Sequence, residues 1–204
     1  MVTTMRDAIS MTAGLNRDLA RALRTHGYER VPDGRVYVPG AKVFMGGVFT
    51  TDVNGLDRRM SPNRVVAEGL DDLLKVYFKQ AAQRTAFYLA PFSGNVEVTD
   101  DLTAATFAST QTEFTDYSAA QRPTWTPGNV TSGEVSNSAN VGSITVSTAG
   151  GSVWGWGMLT ASAKSATTGV LVAATKDDDA RGPLKIGDKL NVDYGFVATD
   201  ASDA

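Results

Sequence analysis

The chain contains one histidine and no cysteine, so the chemistry open to it is narrow. Thiolate nucleophiles, disulfides, cysteine-ligated metals and multi-histidine metal centres are removed at once. His26 belongs to the residue type best suited to general-base work near neutral pH. It stands beside Gly27 at the end of a helical stretch, however, where a role at the helix terminus accounts for it. One histidine there builds no Ser-His-Asp arrangement, and the chain has no GxSxG elbow. The run Asp177-Asp178-Asp179 offers the hard oxygen ligands that calcium takes. Its spacing is not that of an EF-hand loop. Lying between TGVLVAAT and RGPLKIGD, it reads as a solvated hairpin loop with Arg181 at hand to neutralise it. Gly151, Gly155 and Gly157 are not followed by a helix, and no GxxxxGK(S/T) occurs, so a phosphate-cradling loop has no basis. Two acids about 5 to 9 Å apart across a cleft, as a glycosidase needs, stay open as a minor alternative. The expectation is a protein without catalytic residues, metal or cofactor.

The side chains left for recognition are aromatic and basic. Trp154 and Trp156 share one face of a strand by the period-two rule and are flanked by apolar and small residues. They are expected in a core or a subunit interface. Trp125 sits in RPTWTPGN, where Pro123 and Pro127 hold the chain extended, and reads as a rigid loop docking on a neighbouring subunit. With Tyr88, Tyr117 and Tyr194, the same rings could instead line a glycan-binding surface. Arg17, Arg21 and Arg24 share a face beside an apolar stripe, either as a solvated basic face or as a contact for an acidic partner.

These residues must be positioned by two kinds of element. Over residues 4–26, Ala8, Met11, Leu15, Leu19 and Ala22 or Leu23 recur at spacings of three and four, which predicts a helix capped by Thr4 and ended by Gly27. It forms an N-terminal arm, residues 1–30, ahead of one β-rich domain over 31–204. VPDGR predicts a tight turn, and RVYV and KVFMGGVFT predict strands around Pro39-Gly40, with a hairpin among them. Gly46 and Gly47 inside the second strand mark a bulge or a close approach of another backbone.

Ser61 as N-cap and Pro62 as first residue predict a helix over 62–80. Its stripe of Val66, Leu70, Leu73 and Tyr77, widened by Leu74 and Phe78, is expected to be buried on a sheet, with Asp71, Asp72, Lys75 and Lys79 outward. Beyond Arg84 the chain reads as short strands: TAFYLAPF, NVEVT, EFTDY, RPTWT, GEVSN, SITVST, SVWGWGMLT, TGVLVAAT and KLNVDYGFVAT, with no return of helical periodicity. The fold class is therefore mainly β, an antiparallel β-sandwich or jelly-roll-like domain with one packing helix and a helical arm.

Composition narrows the partners. With 42% hydrophobic and 20% charged residues and no apolar run long enough for a bilayer, the chain reads as soluble and not membrane-inserted. A formal net charge of −3 lacks the basic surplus that nucleic acid binding needs. The opening MVTTMRDAIS has none of the layout of a secretory signal, so synthesis in a cytoplasm is expected, ahead of any place in a larger particle.

From residue 62 to about residue 199 the order PNRVVAEGLDDLLKVYF, TAFYLAPFSGN, TEFTDYSAAQRPTWTPG, SGEVSNSAN, TTGVLVAAT and GDKLNVDYGF resembles small virion proteins of tailed bacteriophages. Those proteins are described as capsid decoration (cement) or head- or tail-associated. The resemblance implies a subunit that oligomerises on the outside of a shell and carries no catalytic residues. The expected function is capsid decoration, with a homo-oligomer such as a trimer gripping the major capsid protein or another virion protein. A tail or head-tail connector component and a receptor- or glycan-binding module are the alternatives. The N-terminal helix lies outside the matched stretch.

Overall fold

The computed structural model describes residues 43–200 continuously and, ahead of them, the strand residues 29–30 and 36–37. The chain divides into two compact units, residues 45–198 and a second made of 1–44 with 199–204. In the latter, β1 (Glu29–Arg30) pairs antiparallel with β2 (Val36–Tyr37) on either side of VPDGR. Val36 and Tyr37 belong to the RVYV segment expected as a strand, and they pair with Glu29–Arg30. The helix predicted over 4–26, with Arg17, Arg21 and Arg24, lies outside the described residues.

The larger unit is mainly β and is built of two antiparallel sheets, as the strand pattern predicts. One sheet has the order β5 (Arg64–Val65), β11 (Leu171–Arg181), β10 (Val153–Leu159), β6 (Phe87–Phe92), β7 (Thr124–Trp125). The other runs β4 (Leu56–Pro62), β3 (Val43–Val53), β12 (Lys189–Asp200), β8 (Glu134–Ser136), with β9 (Gly142–Thr145) also on β12. Alternation along the strands sends Leu89, Trp156 and Met158 of the first sheet and Phe49, Leu190, Val192 and Tyr194 of the second into one buried core. Gly47 on β3 is a close approach of the kind expected, because a Cβ there would stand 2.2 Å from the Gly195 carbonyl oxygen.

A smaller core lies apart from this one. It joins Ala90, Phe92, Leu159, Leu171 and Ala174 of the first sheet to Leu102, Ala104 and Phe107. The last two belong to a helix that the periodicity did not announce, α2 (Ala104–Thr110), which follows α1 (Ala67–Phe78) in the chain. Cβ atoms at Gly155 and Gly157 would stand 2.4 Å from the Phe92 ring and 2.7 Å from the Phe107 ring. The glycines of SVWGWGMLT thus make room for two phenyl rings that meet edge to face at 6.0 Å.

The structure departs from the sequence pattern at three places. The helix predicted over 62–80 begins at Ala67, with Val66 as N-cap. Ser61 and Pro62 end edge strand β4, paired with Phe49 and Val48, because Asn54-Gly55, both at positive φ, turn the chain from β3 into β4 as a hairpin. NVEVT forms no strand, and EFTDY contributes only isolated bridges, Phe92 with Glu113 and Tyr117 with Val146. The Asp177-Asp178-Asp179 run is no loop: it continues β11, with Asp177 buried and its two neighbours exposed.

Candidate functional site

Helix α1 is oriented the opposite way to its expected packing. Its inward residues are small or polar: Gly69 and Asp72 are buried, and Glu68 is half-buried. Leu70, Leu73 and Leu74 are 37, 37 and 56% exposed, and Tyr77 and Phe78 82 and 69%. Among the described residues nothing covers this stripe.

The reason lies in how the helix is tied down. A Cβ on Gly69 would fall 2.3 Å from the carbonyl oxygen of Val172, so at this point α1 lies directly on the backbone of β11 with no side chain between. The Glu68 carboxylate accepts the backbone N–H groups of Ala104 and Leu171, both at 2.8 Å, and so links α1 to the start of α2 and to β11. An anion at the first N–H of α2 also suits the dipole of that helix. Asp72 accepts from Nε of Arg84 at 3.1 Å and forms an ion pair with its Nη2. That bond holds the Arg84 guanidinium above its usual range, and burial works against it. These polar anchors turn one face of α1 down and leave the leucine face up. Tyr77 and Phe78 meet edge to face at 4.9 Å, and Asp71 and Lys75 pair at 3.2 Å beside the stripe.

The aromatic residues singled out for an interface lie elsewhere. Trp125 is buried: its indole N–H donates to the Tyr194 carbonyl at 3.0 Å and its ring meets Phe87 edge to face at 5.9 Å. Pro123 and the extended loop deliver it to the core between the sheets rather than to a neighbouring subunit. Trp156 is in the same core, whereas Trp154 packs half-buried against the smaller one. The two do not share a face, because the β10–β11 register shifts between Val153 and Gly155 and breaks the period-two alternation.

The buried charges are used internally. Arg122 holds Glu113 with two bonds of 2.8 and 2.7 Å, both side chains at most 1% exposed, and it also donates to the Ala161 carbonyl at 2.9 Å. Ser165 donates its N–H to the same carboxylate at 2.9 Å. A carboxylate satisfied in this way is a structural joint. Asp177 accepts from the Ser61 hydroxyl at 2.5 Å and lies 3.9 Å from Nε of Arg181. Burial pushes the Asp177 carboxyl up, against the Ser61 bond and the charges of Arg181 and Arg59, and burial lowers the Arg181 guanidinium. Arg181 in turn donates to the carbonyls of Thr51 and Asp57, at 2.9 and 2.8 Å, and so ties β11 to the β3–β4 hairpin. Among the described residues no three His, Cys, Asp or Glu side chains gather as a metal site. A polar hollow of about 220 Å³ between β5 and β11 is lined in part by Arg64, Glu97 and Lys176. Its cations are already engaged, Lys176 with Glu97 at 3.2 Å and Arg64 with Asp100 at 2.7 Å.

The chain matches no family model, no curated protein and no solved structure. No helix among the described residues is long and apolar enough to cross a membrane.

Every member of the outward stripe is legible in the sequence, where its helical spacing points to the core rather than to solvent. The signal against that assignment was present in the same helix. Gly69, Asp72 and Val76, at spacings of three and four, mark a second face with an ionisable residue at its centre.

Proposed function

We propose that the protein is a non-enzymatic virion subunit of a tailed phage, a decoration protein that assembles with copies of itself and clamps the head shell through the major capsid protein. One observation carries the assembly part of this reading: five large apolar side chains stand in solvent along a single helix face. Two aromatic rings bury about 150 to 250 Å² each when fully covered, and three leucines add to them. A patch on the order of several hundred Å² on a small domain marks a contact surface. The resemblance of residues 62–199 to phage virion proteins supplies the particle.

The physics suits a decoration protein. Each contact is modest, but a shell presents the same site many times, and a subunit already tethered rebinds at high effective concentration. A rigid sandwich transmits load across capsid junctions without an active site. The glycan-binding alternative needed an exposed aromatic platform at Trp125, and that ring is buried with its N–H already bonded.

The test is to add purified protein to DNA-filled capsids that lack it, count the copies bound, then heat the particles and follow DNA release. Saturation at hundreds of copies with a raised release temperature is the expected result. A dozen or fewer copies at one vertex would move the protein to the connector or tail, and absence of binding would sink the virion reading.

A further inference from the structure

We propose that α1 pairs antiparallel with α1 of a second copy of this chain, about a twofold axis near Leu73. The inference rests on the assembly reading and names the surface through which one subunit meets another. Leu70, Leu73, Leu74, Tyr77 and Phe78 recur at the three- and four-residue spacing of a helix seam.

The flanking charges select both the partner and its direction. Asp71 and Lys75, one turn apart, lie on the same flank of the stripe, and both are exposed. The opposite flank carries Leu73 and the half-buried Val76 and no charge. When two helices are related by a twofold axis perpendicular to them, they run antiparallel and each flank lies against the same flank of its copy, read backwards. An axis near Leu73 therefore sets Asp71 opposite Lys75 of the partner subunit and, by symmetry, Lys75 opposite the partner's Asp71. The surface is complementary to itself in this orientation. A parallel pair would set the charged flank against the uncharged one and leave both charges without an opposite. The antiparallel arrangement also opposes the two helix dipoles, with Lys79 at the C-terminal end of each α1.

Sedimentation velocity on the full chain and two charge variants tests this. Wild type is expected to dimerise with rising concentration. Asp71→Lys alone and Lys75→Asp alone each place like charges across the axis and weaken the dimer about tenfold. An equimolar mixture of the two variants sets two lysines against two aspartates, and the heterodimer is expected to be at least as tight as the wild-type dimer. Tyr77→Asp, which charges the seam itself, removes association in every combination while the thermal melt of the monomer stays unchanged. A wild type that remains monomeric to its solubility limit, or a mixture no tighter than either variant alone, overturns the twofold pairing. If the mixture fails to pair while the protein still decorates particles, the pairing is wrong and the virion reading stands. If it pairs but no particle binds, the pairing stands and the virion reading falls.

Discussion

Helix α2 turns Phe107 and Ala104 into the smaller core, whereas α1 turns Glu68, Gly69 and Asp72 inward and its leucines outward. The two helices abut the same sheet and share the Glu68 carboxylate, yet different forces hold them. Apolar burial fixes α2, although it is only 7 residues long. Backbone contact at Val172 and charge-assisted bonds fix α1, which frees the face that would ordinarily do the packing. A helix can thus be positioned by polar anchors and still present an apolar surface, provided that something outside the subunit benefits from it.

The largest test of this contrast is Phe107→Ala. The ring is completely buried against Phe92 and over Gly157, so its removal should cost about 3–5 kcal/mol of unfolding free energy. Urea denaturation followed by tryptophan fluorescence would show it. A loss under about 1 kcal/mol would mean that α2 does not depend on the smaller core, and the contrast with α1 would collapse.

Next in size is Glu68→Ala, which leaves the N–H groups of Ala104 and Leu171 without their shared acceptor. Bonds to a charged group contribute about 1.5–3 kcal/mol each, and partial solvation of the freed N–H groups brings the expected loss to about 2–3 kcal/mol. Glu68→Gln keeps an acceptor oxygen and should recover part of it. A neutral Glu68→Ala would show that α1 is held by something other than its polar anchors.

Gly69→Ala sharpens the comparison through its sign. At an exposed position inside a helix the change would stabilise by about 1 kcal/mol. Here the added Cβ meets the Val172 carbonyl, so α1 must lift from β11 at a cost of about 1–3 kcal/mol. Thermal melts of the two proteins decide it, and a gain in stability would show that the helix does not rest on the strand backbone.

Strands and helices differed in how far the sequence revealed them. The β-sandwich was legible because TAFYLAPF, SVWGWGMLT, TGVLVAAT and KLNVDYGFVAT are bounded by turns and bury their faces by alternation. Asn54-Gly55 carried an equally plain hairpin signal, and reading it would have kept Ser61-Pro62 in a strand. Helix α2 is under two turns long and offers one large apolar residue, Phe107, too little for periodicity to register. The orientation of α1 was hidden for a different reason. A hydrophobic stripe reports that a face avoids water, and whether it is covered within the subunit or between subunits depends on what lies opposite. Trp125 was misplaced through the same gap, since flanking prolines set the stiffness of a loop and not the direction of its ring.

The smallest expected effect on stability separates folding from assembly most cleanly. Replacing Leu74 and Tyr77 together by serine removes the outer part of the stripe, where both side chains are mostly exposed. Unfolding free energy should change by no more than about 0.5 kcal/mol, as surface substitutions away from anchors do. Self-association should fall, and particle binding should weaken with it, because a single subunit lacks the multivalent hold of a tethered pair. A large loss of stability would show that the stripe belongs to the core after all, and α1 would then be an ordinary packing helix like α2. An unchanged stability with unchanged assembly would leave the polar anchoring of α1 intact but move the contact surface elsewhere, with edge strand β4 and its exposed Leu56 and Met60 the next to test.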